Sequence, residues 1–148
     1  MSSKPQLMTP DQFPTQITEK LRYGDTDRQG HINNAVYSTL CESGRVGFLY
    51  DPKQPFLQPG AQYVIAQLKI NFIEEMNWPG DVIIGTGVTK VGRSSVCLLQ
   101  GIFLNGICMA TSENVLVLMD AKTRKSTPLF EETIDALKAL NVIILLYS

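Results

Sequence analysis

Residues 23–37, YGDTDRQGHINNAVY, gather two carboxylates, the chain's only histidine, two glycines and a pair of adjacent asparagines just ahead of an apolar-periodic stretch. Capping and turn formation explain any one of these residues taken singly, because Asp and Asn cap helices and Gly serves loops. A helix start needs one cap, whereas Asp25, Asp27, His31, Asn33 and Asn34 crowd within ten positions. If a helix begins near Asn34, the free N–H groups of its first turn carry about half a positive charge. They suit an oxygen that becomes negative during reaction. Asp27 lies seven residues earlier, close enough for a folded-back loop to set its carboxylate beside those donors, where it could attack a carbonyl or activate water. With a free pKa of about 3.9 it is a weak base. The fitting substrate therefore has a reactive carbonyl and a leaving group that departs with little help. A thioester meets both demands, since a thiol of pKa about 8.5 leaves as a thiolate.

Other chemistries fit less well. Cys41 falls within the apolar-periodic stretch with nothing beside it to lower its pKa, so it reads as a buried thiol rather than as the nucleophile of a Cys41–His31 hydrolase. One histidine and two nearby aspartates do not make a closed ligand set, and VGRSS lacks the phosphate-loop pattern, so no metal and no cofactor are expected. Thirteen basic against fourteen acidic residues leave a formal net charge of -1, which offers no field to hold nucleic acid. Cys41, Cys97 and Cys108 are odd in number and lack CxxC spacing, which fits a reducing, cytoplasmic setting rather than a disulfide framework. MSSKPQLMTP does not read as a secretory signal. The closing VIILLYS is too short to cross a bilayer, so no membrane partner is expected.

The elements that must position these residues follow from periodicity. With 148 residues, 44% hydrophobic, the chain can bury about 68% of its unfolded surface around one core. One domain over 1–148 is expected, with a loose arm at 1–15 marked by Pro5, Pro10 and Pro14, and an apolar tail at 141–148. A short strand is expected from Gln16. Val36, Tyr37, Leu40, Cys41, Gly44 and Phe48 fall on one helical face, and Gly44 and Gly47 suggest a helix pressed against other backbone. DPKQPFLQPG reads as a covering loop. Beyond Gly60 the period becomes 2, giving strands through Val64–Ile73, Val82–Gly92, Val96–Leu104 and Ile107–Asp120, with Asn105–Gly106 as a tight hairpin. Leu129–Leu140 reads as a short helix. Four consecutive strands with tight turns leave no room for crossovers, so the class is α+β, with a mainly antiparallel twisted sheet holding the long helix in its concave face. Apolar residues on both faces of some strands argue for self-association.

The pattern YxDTDxxGHxNNxxYxxxxExxR, Tyr23 through Arg45, followed by four long strands, resembles the hotdog-fold acyl-CoA thioesterases of the 4-hydroxybenzoyl-CoA thioesterase type, over roughly residues 16–140. It is also similar to the catalytic segment of plant acyl-carrier-protein thioesterases. The resemblance implies a central helix wrapped by a five- to six-stranded sheet, protomers joined as a homodimer or dimer of dimers, and active sites across the dimer interface. It implies that Asp27 carries catalysis, that the backbone N–H at or near Asn34 polarises the thioester carbonyl, and that His31, which the hydroxybenzoyl-CoA enzymes lack, orients water, bonds substrate or braces the loop. Tyr37 would line the substrate pocket, with Val36, Leu40, Phe72 and the loop at 52–60 as further walls. Arg93, Ser94 and Ser95 would meet the CoA phosphates, with a solvated hairpin turn as the plain alternative. Asp25 would fix the loop, Glu42 would sit on a surface face, and Lys122, Arg124 and Lys125 would form a solvated turn. The implied activity is hydrolysis of an acyl-CoA. The rivals are a hotdog enoyl-CoA hydratase or dehydratase, whose aspartate and histidine are separated by four residues rather than three, and a non-catalytic acyl-CoA binding module.

Overall fold

Strand alternation builds the sheet and the helix fills it. In a computed structural model describing residues 8–142, the strands are β1 (Thr15–Lys20), β2 (Ala61–Phe72), β3 (Asp81–Val91), β4 (Ser95–Leu104) and β5 (Ile107–Asp120). They form one sheet of order β1-β3-β4-β5-β2 in which every neighbouring pair is antiparallel. The early strand β1 is an edge strand. Asn105 and Gly106 turn the β4–β5 hairpin with φ of 53° and 78°, the positive pair that a type I′ turn requires.

Helix α1 (Asn34–Leu49) buries Tyr37, Leu40, Cys41, Gly44, Arg45, Phe48 and Leu49, the three- and four-residue spacing of one face. Its first half packs with Ile84, Ile102 and Ala110 of the sheet. A Cβ on Gly44 would come within 2.6 Å of the Ile84 side chain, and one on Gly47 within 2.8 Å of Ile17, so both glycines do serve a close approach. Helix α2 (Glu131–Lys138) is shorter than the Leu129–Leu140 expected from sequence. With Leu129 and Leu137 it closes the other half of the core around Phe48, Phe56, Leu98, Leu116 and Leu118. Beneath α1 runs a line of buried polar groups: Gln100 donates to the Cys41 carbonyl and to Thr86, Asn114 donates to Gln100, and Arg45 donates to Asn114 at 2.8 Å.

Part of the expected loose arm is tied down. Pro10–Gln12 makes a short 3-10 turn and Phe13, only 4% exposed, lies on the outer face of the sheet. Gly85 and Gly101 present no side chain there, so the ring fits against bare backbone and meets Phe103 edge-on at 5.8 Å. Val142 packs over Gly87 in the same way. The rest of the apolar tail, 143–148, lies outside the described residues.

Candidate active site

Helix α1 begins where it does because Asn33 is extended (φ -60°, ψ 137°) and its Oδ1 accepts from the Ala35 N–H at 3.0 Å, a side-chain cap for an orphan donor. The Val36 N–H bonds the Asn33 carbonyl at 2.9 Å. Among the described residues the Asn34 N–H has no partner.

The crowd of polar residues ahead of the helix divides into separate tasks. Asp25 is buried and accepts from the Arg22 N–H at 2.8 Å and from its guanidinium at 2.8 and 3.2 Å. Burial pushes its carboxyl up, but the bonds and charge of Arg22 outweigh that and hold it below the usual range. Its carbonyl takes the Asn33 N–H at 2.8 Å, so Asp25 fixes the loop. Asp27 folds the loop back on itself: its N–H meets the His31 carbonyl at 2.7 Å, and its Oδ1 accepts from the N–H groups of Gln29 at 2.8 Å and His31 at 3.1 Å. Gly30 allows the turn with φ of 84°. The other oxygen, Oδ2, accepts nothing among the described residues. One oxygen thus shapes the loop while the second stands exposed.

The facing wall is the connection from β2 to β3. The Ile32 N–H bonds the Met76 carbonyl at 2.8 Å, His31 bridges to Asn77, and His31 Nε2 lies 3.3 Å from Glu75 Oε2. The two walls enclose a cleft of about 310 Å³ lined by Asp27, His31, Asn34, Tyr37, Phe72 and Glu75 among others. Tyr37 packs edge-on against Phe72 at 4.9 Å, and burial raises its phenol. Asp27, His31, Asn34 and Tyr37 are therefore brought together. Glu74 and Glu75 escaped sequence reasoning; the only signal was a carboxylate pair directly after a strand, in NFIEEMN. The loop at 52–60 is not part of this cleft. Phe56 instead seats against Phe48 at the far end of α1, their ring centroids 5.6 Å apart.

Arg93, Ser94 and Ser95 lie elsewhere. The Arg93 carbonyl accepts from Leu129 and the Ser94 carbonyl from Leu118, both at 2.8 Å. Ser95 pairs with Val117, whereas the cleft residue Phe72 pairs with Ala110. Seven residues along β5 correspond to about 23 Å, so within one chain these three residues do not reach the cleft. Glu42 is exposed on α1, as are Lys122, Arg124 and Lys125 in the turn after β5. Among the described residues, no cluster of three or more His, Cys, Asp or Glu is placed to hold a metal. No described helix is long and apolar enough to cross a membrane.

The fold and the sequence both have relatives. A thioesterase from Thermus thermophilus, solved with coenzyme A and zinc, is 26% identical and superimposes with a TM-score of 0.77 over 88% of this chain and 96% of its own. A probable thioesterase from Escherichia coli is 26% identical with a TM-score of 0.74, covering 84% of this chain and 97% of that one. A predicted thioesterase from Bacillus stearothermophilus is 25% identical with a TM-score of 0.76 over 85% and 95%. No curated protein sequence matches the chain. The family model for the thioesterase-like superfamily matches residues 21–137, which spans the loop, α1, the whole of β2–β5 and nearly all of α2. By that match and by its sheet wrapped around a central helix, the chain belongs to the hotdog-fold thioesterase-like superfamily.

Proposed function

We propose that the chain hydrolyses an acyl-CoA thioester to the free acid and CoA. One observation carries the reading: Asp27 and Asn34 line the same cleft, and among the described residues neither the Oδ2 of the first nor the N–H of the second has a partner. With the thioester carbonyl oxygen on the Asn34 N–H, the Asp27 carboxylate takes a proton from water as the water oxygen bonds the carbonyl carbon. The tetrahedral oxyanion then re-forms the carbonyl and breaks the C–S bond, and the proton goes to the departing thiolate. Direct attack by the carboxylate, through an anhydride that water cleaves, is the other form of the same chemistry. His31, held by Glu75, borders the path of the water. Tyr37 and Phe72 supply the apolar wall for the acyl group.

The chain works as a homodimer or dimer of dimers in this reading. β2 is a sheet edge twelve residues long, and an unpaired edge of that length invites a second copy. Arg93, Ser94 and Ser95 of a second protomer would hold the CoA phosphates, since about 23 Å separates them from the cleft of their own chain. The Thermus thermophilus relative, solved with coenzyme A, supports a CoA ligand.

The test is thiol release across short, long and aromatic CoA esters. Asp27→Asn keeps an amide oxygen to accept from Gln29 and His31 while removing the charge. Turnover is expected to fall by at least about 100-fold, or about 2.7 kcal/mol of transition-state stabilisation, with CoA-ester binding retained. Unchanged turnover in Asp27→Asn would defeat the assignment. Loss of enoyl absorbance without thiol release would show a hydratase, and binding with neither would show a carrier.

A further inference from the structure

The arm before β1 and the segment after α2 meet on the outer face of the sheet, the face turned away from α1. Leu140 and Asn141 run beside β3 where β1 no longer covers its edge: the Val88 N–H bonds the Leu140 carbonyl at 2.7 Å, and Asn141 bridges Val88 in parallel. One residue later the chain has left that edge. A Cβ on Gly87 would meet the Val142 side chain, the Val142 nitrogen at 3.3 Å and Pro14 at 3.0 Å, so the backbone steps onto the outer face there. Val142 joins Phe13, Phe103 and Cys108, and Leu99 packs against that cluster. Leu99 lies directly opposite Gly87 and begins an apolar groove that crosses β4, β5 and β2. Its floor is Cys97, Leu99 and Val115, all half-buried, and its rim is Lys69, Lys90 and Glu113, all exposed. A second copy joined edge to edge at β2 extends the sheet in its own plane and leaves this face uncovered.

We infer that the occupant of this groove is the chain's own segment 143–148, IILLYS, laid across the outer face from Gly87 toward β2. The exit point aims it there, because Val142 already lies over Gly87 and the groove begins at the next strand. Length suffices: Gly87, Leu99, Glu113 and Lys69 face one another in turn on four adjacent strands, three spacings or about 14 Å, and six extended residues reach about 20 Å. Chemistry agrees, since four successive large apolar side chains, Ile143 to Leu146, gain by leaving water for an apolar floor. The groove shares no lining residue with the Asp27 cleft, so this cover stands apart from the thioester chemistry.

Cys97 in the groove floor supplies the probe. Ile143→Cys, Ile144→Cys, Leu145→Cys and Leu146→Cys, each made singly in the full chain, are oxidised with diamide and mapped as peptides. At least one is expected to close an intrachain disulfide to Cys97, a bond that needs Cα atoms about 4.4–6.8 Å apart. Disulfides between chains alone would seat the segment on a second copy, and no disulfide to Cys97 from any of the four would leave the groove without it; either result overturns the inference. A second measurement needs no cross-link. In an extended run successive side chains alternate, so the double variant Ile144→Asp, Leu145→Asp sets one charge against the sheet in either phase. Labelling of Cys97 by a disulfide reagent should then quicken at least about tenfold as the cover lifts, and an unchanged rate would count against the cover equally.

Discussion

Removal of a single N–H tests the proposed oxyanion donor directly. Asn34 is the first residue of α1, the position at which proline is best tolerated, because its missing N–H is an orphan there and its fixed φ suits the helix. The residue before a proline must be extended, and Asn33 already is, with ψ of 137°. The cap also survives, since Asn33 Oδ1 bonds Ala35 rather than Asn34. Asn34 itself is exposed and its side chain makes no hydrogen bond among the described residues. Asn34→Pro therefore removes one N–H and little else. Stability should stay within about 0.5 kcal/mol, a shift in Tm of about 2 °C or less for a chain of this size. Loss of one oxyanion donor costs about 2.7–4 kcal/mol, or 100- to 1,000-fold in kcat. Thiol-release kinetics with a preferred acyl-CoA ester, run beside a thermal melt, read both numbers. Turnover within about threefold of wild type at unchanged Tm, a loss of less than about 1 kcal/mol, would refute the assignment of that amide.

Three further expectations concern stability and reactivity. Gly44→Ala gains about 1 kcal/mol of helix propensity but places a methyl 2.6 Å from Ile84 and 2.7 Å from Gln100, both fully buried. Overpacking of that kind costs about 1–3 kcal/mol, so the melt should show net destabilisation; a raised Tm would mean that α1 can lift away freely. Asp25 has its pKa lowered in the folded state, so its contribution is present above the unfolded carboxyl pKa of about 3.9 and is lost as pH falls through the lower folded value. Asp25→Asn should thus lower the melting temperature at pH 7 and change it much less at pH 2–3. Cys41 and Cys108 are buried with thiol pKa values raised by burial, whereas Cys97 is half-buried. A disulfide reagent should titrate Cys97 in the native protein and the other two only on unfolding, and rapid native labelling of Cys41 would contradict the packing of α1.

The amino-acid order alone determined the elements and singled out the candidate loop. A period of 2 with Asn105–Gly106 at a hairpin fixes strand and turn locally, because alternation and positive φ are properties of neighbouring residues. The surplus of polar groups from Asp25 to Asn34, more than one helix start can use, drew attention to the loop before any contact was known. Tertiary structure decided what depends on residues distant in the chain. Glu75 meets His31 across 44 positions because the β2–β3 connection pairs with the loop, and Phe13 is buried because Gly85 and Gly101 strip side chains from one patch of the outer face. Arg45 reads as one more residue of a helix until Asn114, 69 positions later, proves to be the sole hydrogen-bond partner of its guanidinium among the described residues. Local propensity carries no information on which buried charge goes without its counter-ion; that is settled only when strands far apart in sequence close over it.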